Sequence, residues 1–247
     1  GLFTLSNPNY KGSNRSLNFT TEKTITDRLE NYGYKSNKTG FSIGSGFESY
    51  EDLFINTGIS TYSERIESDS KASAAIKAQA GTYLTTYFNY GLTYDKRNQK
   101  FQTTEGYRSR FSQNVPLVTR KTTLKSTYDL KIYDEWLNKN LLSFNFYAAM
   151  ANSITGKDVL LSDRIFVPSG RLRGFEPGKI GPRDGSDYIG GNYSMAFNIV
   201  STIPQILPNS EISDFIVFYD AANVWGVDYS SAISGSKIRS SVGVGVD

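Results

Sequence analysis

The sequence predicts an all-β fold, a transmembrane antiparallel β-barrel, and three observations support this prediction. Apolar and polar side chains alternate with a period of two in segments of roughly ten residues, the length of a tilted membrane strand. No stretch approaches the roughly 20 apolar residues that a membrane helix needs. The apolar content is only 38%, as expected where lipid-facing residues alternate with residues that face an aqueous lumen.

The alternation defines the strands in order along the chain. Each predicted strand has one apolar face and one polar face, and we expect roughly a dozen strands. The apolar series are Leu17 and Phe19; Phe41, Ile43 and Phe47; Leu53, Ile55 and Ile59; Leu84, Phe88, Tyr90, Leu92 and Tyr94; Leu124, Tyr128, Leu130 and Ile132; Leu142, Phe144, Phe146, Ala148 and Met150; Tyr193, Met195, Phe197, Ile199 and Ile203; Phe215, Val217 and Tyr219; and Val242, Val244 and Val246.

Alternation alone also fits a soluble antiparallel sandwich, in which one face meets a core and the other meets water. Charge on the polar faces favours the barrel, because it suits a wide aqueous lumen. These charged residues are Arg108, Arg110, Lys125, Asp129 and Lys131. Aromatic residues at strand ends fit an interfacial girdle; they are Tyr94, Tyr133, Trp136 and Trp225. Short turns such as Pro116-Leu117 alternate with longer polar loops such as 152–163.

The composition excludes several kinds of function. The 27 Lys and Arg residues nearly balance the 24 Asp and Glu residues, so we expect no nucleic-acid partner. The chain has no histidine and no cysteine, which removes Ser-His-Asp and Cys-His catalysis and imidazole metal sites. The scattered carboxylates are a weak basis for an enzyme. We therefore expect a protein without catalytic residues, metal or cofactor.

One long connection is unusually specific in composition. Residues 171–185, with the sequence RLRGFEPGKIGPRDG, are rich in glycine and proline and are followed by Gly190-Gly191-Asn192. Such a composition predicts a fixed, tightly folded backbone rather than a variable surface loop. Asp220 belongs with this segment, because it lies on the polar face of a predicted strand and a charge in a partly dry lumen must be paired.

These motifs carry a family resemblance. The motifs are Leu172-Arg173-Gly174-Phe175, Ile180-Gly181-Pro182-Arg183-Asp184, Gly190-Gly191-Asn192 and the segment 218–225, FYDAANVW, with supporting matches at Ala75-Ile76-Lys77 and at 94–98, YDKRN, before Gly106-Tyr107. The chain resembles the barrels of outer-membrane protein assembly factors in the bacterial surface antigen (D15) superfamily. The matches extend from about Ser73 to Asp247.

The resemblance implies an arrangement for the long loop. In that family the loop, here 169–192, folds back into the lumen, and its arginine pairs with an acidic residue on the inner wall. Carried over, Arg173 pairs with Asp220, Gly174 lets the backbone approach the wall, and Phe175 anchors the loop tip on apolar atoms. The expected supporting contacts come from Glu176, Gly181, Arg183, Asp184, Gly190 and Gly191.

The resemblance also bears on domain organisation. We expect residues 1–247 to form one partial barrel domain, because a complete barrel of this family has about sixteen strands. The first strands, the last two strands and the periplasmic POTRA domains upstream would then lie outside the chain.

The function that the resemblance implies is non-enzymatic assembly, in which the full protein folds and inserts β-barrel proteins in the bacterial outer membrane. The expected partners are unfolded outer-membrane proteins, outer-membrane lipids and accessory assembly lipoproteins. Two alternatives stay open. One is a polypeptide-secretion pore of the same superfamily, such as a two-partner transporter, and the other is a diffusion porin.

Overall fold

The computed structural model describes residues 1–119, 122–137, 139–204, 214–233, 235 and 237–246. One large antiparallel sheet holds most of these residues. Its strands are β1 (Leu2–Asn7), β2 (Arg15–Arg28), β3 (Tyr34–Tyr50), β4 (Leu53–Ser68), β5 (Gly81–Asp95), β6 (Gly106–Thr119), β7 (Thr123–Trp136), β8 (Asn140–Ser153), β11 (Tyr193–Ile203), β12 (Phe215–Trp225) and β13 (Arg239–Val246). A small hairpin of β9 (Arg183–Asp184) and β10 (Asp187–Tyr188) lies in the connection between β8 and β11.

The topology follows chain order. The eleven strands pair as β1-β2-β3-β4-β5-β6-β7-β8-β11-β12-β13, and the pairs are antiparallel throughout, as between β11 and β12. The all-β antiparallel prediction is thus confirmed, and the eleven-stranded sheet is close to the predicted dozen. Within the described residues the sheet begins at β1 and ends at β13, with no pairing between these two strands.

Helical structure is limited to short segments. The α-helices are α1 (Leu29–Tyr32) and α2 (Ala74–Lys77), and single 3₁₀ turns cover Tyr10–Gly12, Leu161–Asp163 and Ser231–Ile233. Ser73 caps the N-terminus of α2 by accepting a hydrogen bond from the Ile76 amide. Among the described residues, no helix combines the length and the apolar character that crossing a membrane requires.

The outer face of the sheet is apolar and uncovered. Side chains from the predicted apolar series remain exposed, including Ile43 at 48%, Met195 at 46% and Val242 at 78%. Polar residues point the other way, toward the concave interior, where Asn89 is the register partner of Asn114 and Asn18 lies in the same row beyond Gly44 and Gly58. A sandwich would cover its apolar face with a second sheet. The exposed apolar face instead suits contact with lipid.

One predicted turn is wrong. Pro116 and Leu117 lie within β6 rather than between strands. The register shifts at this point, because Tyr87 pairs with Pro116 while Thr86 pairs with Val118. Proline lacks an amide hydrogen for the ladder, and a β-bulge is one of the few positions in a sheet that tolerate it.

The two ends of the barrel segment differ. At one end, residues 51–52 join β3 to β4 directly, and residues 137–139 join β7 to β8. At the other, which we call the loop end, residues 154–192 join β8 to β11. A buried apolar cluster, the loop-end core, lies here and contains Tyr32, Tyr34, Ile66, Ala72, Ile76, Leu161, Ile189 and Val227. The principal apolar core therefore lies among packed connections and not between sheets.

The exposed apolar face generates a prediction about solubility. We expect the isolated chain to aggregate in water and to be monodisperse only in detergent or lipid, since a large uncovered apolar surface and the edge strands β1 and β13 both promote association. Size-exclusion chromatography with light scattering, with and without detergent, measures this. A monodisperse monomer without detergent would contradict the barrel assignment.

Candidate functional site

The connection between β8 and β11 folds back onto the inner wall of the sheet. We call residues 169–192 the inward loop. Apolar side chains anchor it, because burying them removes apolar area from the wet lumen. One buried cluster combines Leu172 and Ile180 of the inward loop and the preceding Val167 with Ala196, Ala222 and Val224 of the wall. A second cluster packs Val159 and Ile165 against Ala149 and Ala151 of β8.

Arg173 and Asp220 meet at the centre of this site. The Arg173 guanidinium donates through Nε to Asp220 Oδ2 and through Nη2 to Oδ1, each at 2.7 Å. The Arg173 backbone amide adds a third bond to Oδ2 at 3.0 Å. Asn198 on β11 donates a fourth, at 2.8 Å, to Oδ1. The side chain of Asp220 has no exposed surface, so this bidentate, fully hydrogen-bonded arrangement is what makes a buried carboxylate tolerable.

The wall also contacts the flat face of Arg173. The guanidinium carbon lies 3.6 Å from the centroid of the Phe218 ring, an inward-facing residue two positions before Asp220. A cation at that distance from a ring face is attracted by the negative face of the π system. Arg173 is therefore held at its edge by Asp220 and on its face by Phe218, which a lysine could not reproduce.

Gly174 meets the wall at ordinary van der Waals distance. The atom nearest to a Cβ placed on Gly174 is Ser241 Cβ, at 4.0 Å, and Gly174 has a backbone φ of +82°. The close approach occurs at Gly181, where an added Cβ would lie 2.8 Å from Val224 Cβ, with φ at +105°. The contact with the wall is therefore tighter at Gly181 than at Gly174, while both positions have the positive φ that favours glycine.

Phe175 does not act as the expected apolar anchor. It keeps 37% of its surface exposed, whereas Leu172 keeps 5% and Ile180 keeps 7%. Leu172 and Ile180, on either side of the Arg-Gly-Phe core, carry the anchoring instead.

Two expected supporting residues make contacts within the loop rather than with the wall. Glu176 forms an exposed ion pair with Lys179 at 2.9 Å. The Arg183 guanidinium lies 4.8 Å from the centroid of the Tyr188 ring and donates to the Ser186 carbonyl at 3.4 Å. Exposed pairs of this kind contribute little stability.

Asp184 joins three connections at the loop end. It accepts hydrogen bonds from Ser73 Oγ at 2.5 Å and from the Tyr229 hydroxyl at 2.9 Å. Ser73 also caps α2, so the same residue serves two structural roles. Burial and the neighbouring Asp184 carboxylate raise the pKa of Tyr229, which keeps its hydroxyl protonated as the donor of this bond.

Gly190 and Gly191 hold the end of the loop. Gly191 exchanges two backbone hydrogen bonds with Ile165, at 2.7 and 2.9 Å, and the Asn192 amide donates to the Gly226 carbonyl at 2.8 Å. Gly190 has φ at +69°, and an added Cβ would lie 2.8 Å from the Ile165 carbonyl oxygen. Both glycines therefore occupy positions where a side chain would disrupt the bridge.

A polar network that the sequence does not reveal lies beside the loop, built around the buried side chain of Arg164. Arg164 is 3% exposed; it donates to Asn192 Oδ1 at 3.0 Å and pairs with Asp228 at 3.5 Å. Asp228 also accepts from the Val159 amide at 2.7 Å and from Asn192. No local pattern could have identified this network, because Arg164 and Asn192 lie far apart within one connection and Asp228 lies in another.

A second missed contact lies two residues before Arg173. Arg171 contacts Asp129 of β7, and its guanidinium carbon lies 5.4 Å from the centroid of the Tyr147 ring on β8. Both Asp129 and the Arg-x-Arg spacing were visible in the sequence. What the sequence lacked was the position of β7 relative to the loop.

The glycine geometry generates a prediction. We expect Gly181→Ala to lower the temperature at which the folded barrel unfolds in detergent, because the new Cβ meets Val224 and the positive φ adds about 1–2 kcal/mol of strain. Gly185→Ala is the matched control, since Gly185 has φ at +62° but open space around it. The measurement is heat modifiability on gels for both variants. Equal shifts for the two would mean that the contact with Val224 is unimportant.

Comparison with known proteins places this arrangement in a family. The chain is 26% identical over 226 residues to the outer membrane protein assembly factor BamA of Neorickettsia risticii, which covers 86% of this chain and 30% of that protein. It is 30% identical over 156 residues to a SAM50-like protein of Schizosaccharomyces pombe, covering 58% of this chain and 31% of that protein. The chain thus spans under a third of the length of these curated relatives.

The fold has a counterpart among solved structures. The crystal structure of BamA from Haemophilus ducreyi lacking POTRA domains 1–3 superposes with a TM-score of 0.84 at 20% identity, covering 99% of this chain and 55% of that chain. At this identity the likeness establishes the fold. The family model for the Omp85 superfamily domain matches residues 1–247, and the chain belongs to the Omp85 superfamily.

Proposed function

We propose that the protein containing this chain folds β-barrel proteins and inserts them into the outer membrane, and that this chain supplies a large part of its barrel. The observation that carries the proposal is the inward loop of an Omp85 barrel held against the inner wall by Arg173 and Asp220. The assembly factor of Neorickettsia risticii and the SAM50-like protein among its relatives support the same role. As an Omp85 barrel, the chain is integral to the bacterial outer membrane.

The physical basis of such a role is the cost of unpaired backbone groups in lipid. Each exposed amide or carbonyl in the hydrocarbon core costs several kcal/mol, so an incoming strand gains by pairing with an available edge. Strand addition of this kind needs a template wall whose register does not slip. The Arg173–Asp220 pair holds β12 to the loop at the position where Asn198 of β11 pairs with Asp220 in register.

The proposed chemistry has few requirements. Backbone pairing and lipid exclusion supply the driving force, so the role calls for no catalytic residue, nucleotide or metal. The substrates are unfolded outer-membrane β-barrel proteins. We further propose that outer-membrane lipids and accessory assembly lipoproteins act as partners of the full protein.

A charge exchange tests the loop-to-wall pair. We expect Asp220→Arg in the full-length protein to cripple assembly, because an unpaired buried charge costs about 3–5 kcal/mol. Combining it with Arg173→Asp restores one charge of each sign and is expected to recover part of the activity. The measurement is the amount of folded, heat-modifiable outer-membrane barrels in cells that depend on each variant. A fully active Asp220→Arg protein would remove the pair from the mechanism.

Depletion tests the function itself. We expect loss of the full-length protein to reduce folded outer-membrane barrels of several unrelated kinds, because each must pair its backbone before it can enter lipid. Quantifying these barrels by heat-modifiable gel migration, with a helical inner-membrane protein as control, gives the answer. If the barrels stayed at normal levels while a single secreted polypeptide disappeared, the protein would be an export pore of the same superfamily.

A further inference from the structure

The inward loop touches the wall at a second charged point. Arg171 Nη2 contacts Asp129 Oδ2, and the two side chains are 17% and 16% exposed. Asp129 faces the lumen from the middle of β7, and its register partner on β8 is Tyr147. The Arg171 guanidinium lies above that Tyr147 ring. Arg171 is therefore bound by neighbouring residues of two strands, in a shielded site where an ion pair is screened less than at the surface.

The two charged contacts lie on strands that are not neighbours. Arg171 reaches β7 and Arg173 reaches β12, while β8 and β11 run between them in the sheet. Asn198 of β11 connects the two, because its Nδ2 donates at 2.8 Å to the Arg171 carbonyl and at 2.8 Å to Asp220 Oδ1. An amide nitrogen carries two hydrogens, so a single side chain serves both acceptors.

Together the two charged contacts restrict the movement of the loop more than either contact does alone. With Arg173 alone on the wall, residues 171–173 could pivot about Asp220 as far as the packing of Leu172 allows, whereas two separated charged contacts fix the direction of this segment along the wall. With both contacts in place, residues 171–173 span the four neighbouring strands β7, β8, β11 and β12. This part of the wall and the loop then move as one body.

We infer that Arg171 and Asp129 are positioning residues, which orient the inward loop so that Arg173 stays on Asp220. The pair is a second loop-to-wall tie, separable from the first. The geometry of the Arg171–Asp129 pair does not depend on the proposed function. Only the consequence of the pair for assembly rests on that function.

The surroundings of Asp129 make Arg171 the better residue to change. Asp129 also pairs with Arg108 of β6 at 3.4 Å, so it keeps a cationic partner when Arg171 is replaced. Arg171→Gln should therefore fold, because no buried carboxylate is left alone. Arg171→Lys keeps the charge and is the conservative variant.

The 247 residues contain no cysteine, so introduced cysteines are the only labelling sites in this part of the protein, and any cysteine elsewhere in the full-length protein is replaced by serine. One spin label is placed at Glu176→Cys, on the exposed part of the inward loop, and a second at Glu51→Cys, in the tight turn between β3 and β4. Pulsed electron paramagnetic resonance then measures the distribution of distances between the two labels. The experiment uses the full-length protein in lipid, with Arg171→Gln, Asp129→Asn and Arg171→Lys compared with the unchanged sequence. Asp134→Asn is the control, since Asp134 is an exposed carboxylate on the same strand.

We expect the distance distribution to broaden at least twofold for Arg171→Gln and for Asp129→Asn. Arg171→Lys and Asp134→Asn are expected to keep it narrow. An unchanged width in both Arg171→Gln and Asp129→Asn would overturn the inference. The readout does not depend on assembly activity, so it remains valid if depletion shows the protein to be an export pore. Within the assembly role, Arg171→Gln is expected to lose less activity than Asp220→Arg.

Discussion

The fully buried carboxylate of Asp220 is the constraint on which the arrangement of the site depends. A charge without exposed surface needs its hydrogen bonds supplied by the protein, and here the donors come from a loop, from that loop's backbone and from a neighbouring strand. Among the described residues, the wall supplies the Asn198 amide and the loop supplies the other donors. Removing the loop would leave the carboxylate largely unsatisfied, so wall and loop are stable together and costly apart.

The rest of the loop serves that contact. Burial of Leu172 and Ile180 stabilises the segment against the wall, but the hydrophobic effect is non-directional and does not set the orientation of the loop. Gly181 permits the approach that Val224 would otherwise block. The hydrogen bonds of Arg173 and the contact of Arg171 with Asp129 then add direction, and the backbone bridge between Gly191 and Ile165 fixes the far end. Hydrophobic burial therefore holds the loop on the wall, and the charged pairs determine where on the wall the loop lies.

How far the sequence determines this structure can be judged from particular residues. The outward faces of the strands follow from a period of two, which is why Phe41, Ile43 and Val244 lie where alternation puts them. The position of Pro116 inside β6 does not follow, because a bulge reflects pairing with β5 that no local pattern contains. Arg173 beside Asp220 came from a family motif. Arg171 beside Asp129 and Arg164 beside Asp228 required the three-dimensional positions of strands and connections far apart in the chain.

The packing at the loop end limits access to the protein from that side. Ile76 of α2, Tyr32 of α1 and Ile189 of the inward loop share the loop-end core. Asp184 of the same loop is hydrogen-bonded to Ser73, which caps α2, and to Tyr229 after β12. These connections form a single folded cap in place of separate flexible loops. A protease or an antibody that reaches these connections meets folded backbone, and opening the barrel at this point requires the connections to unpack together.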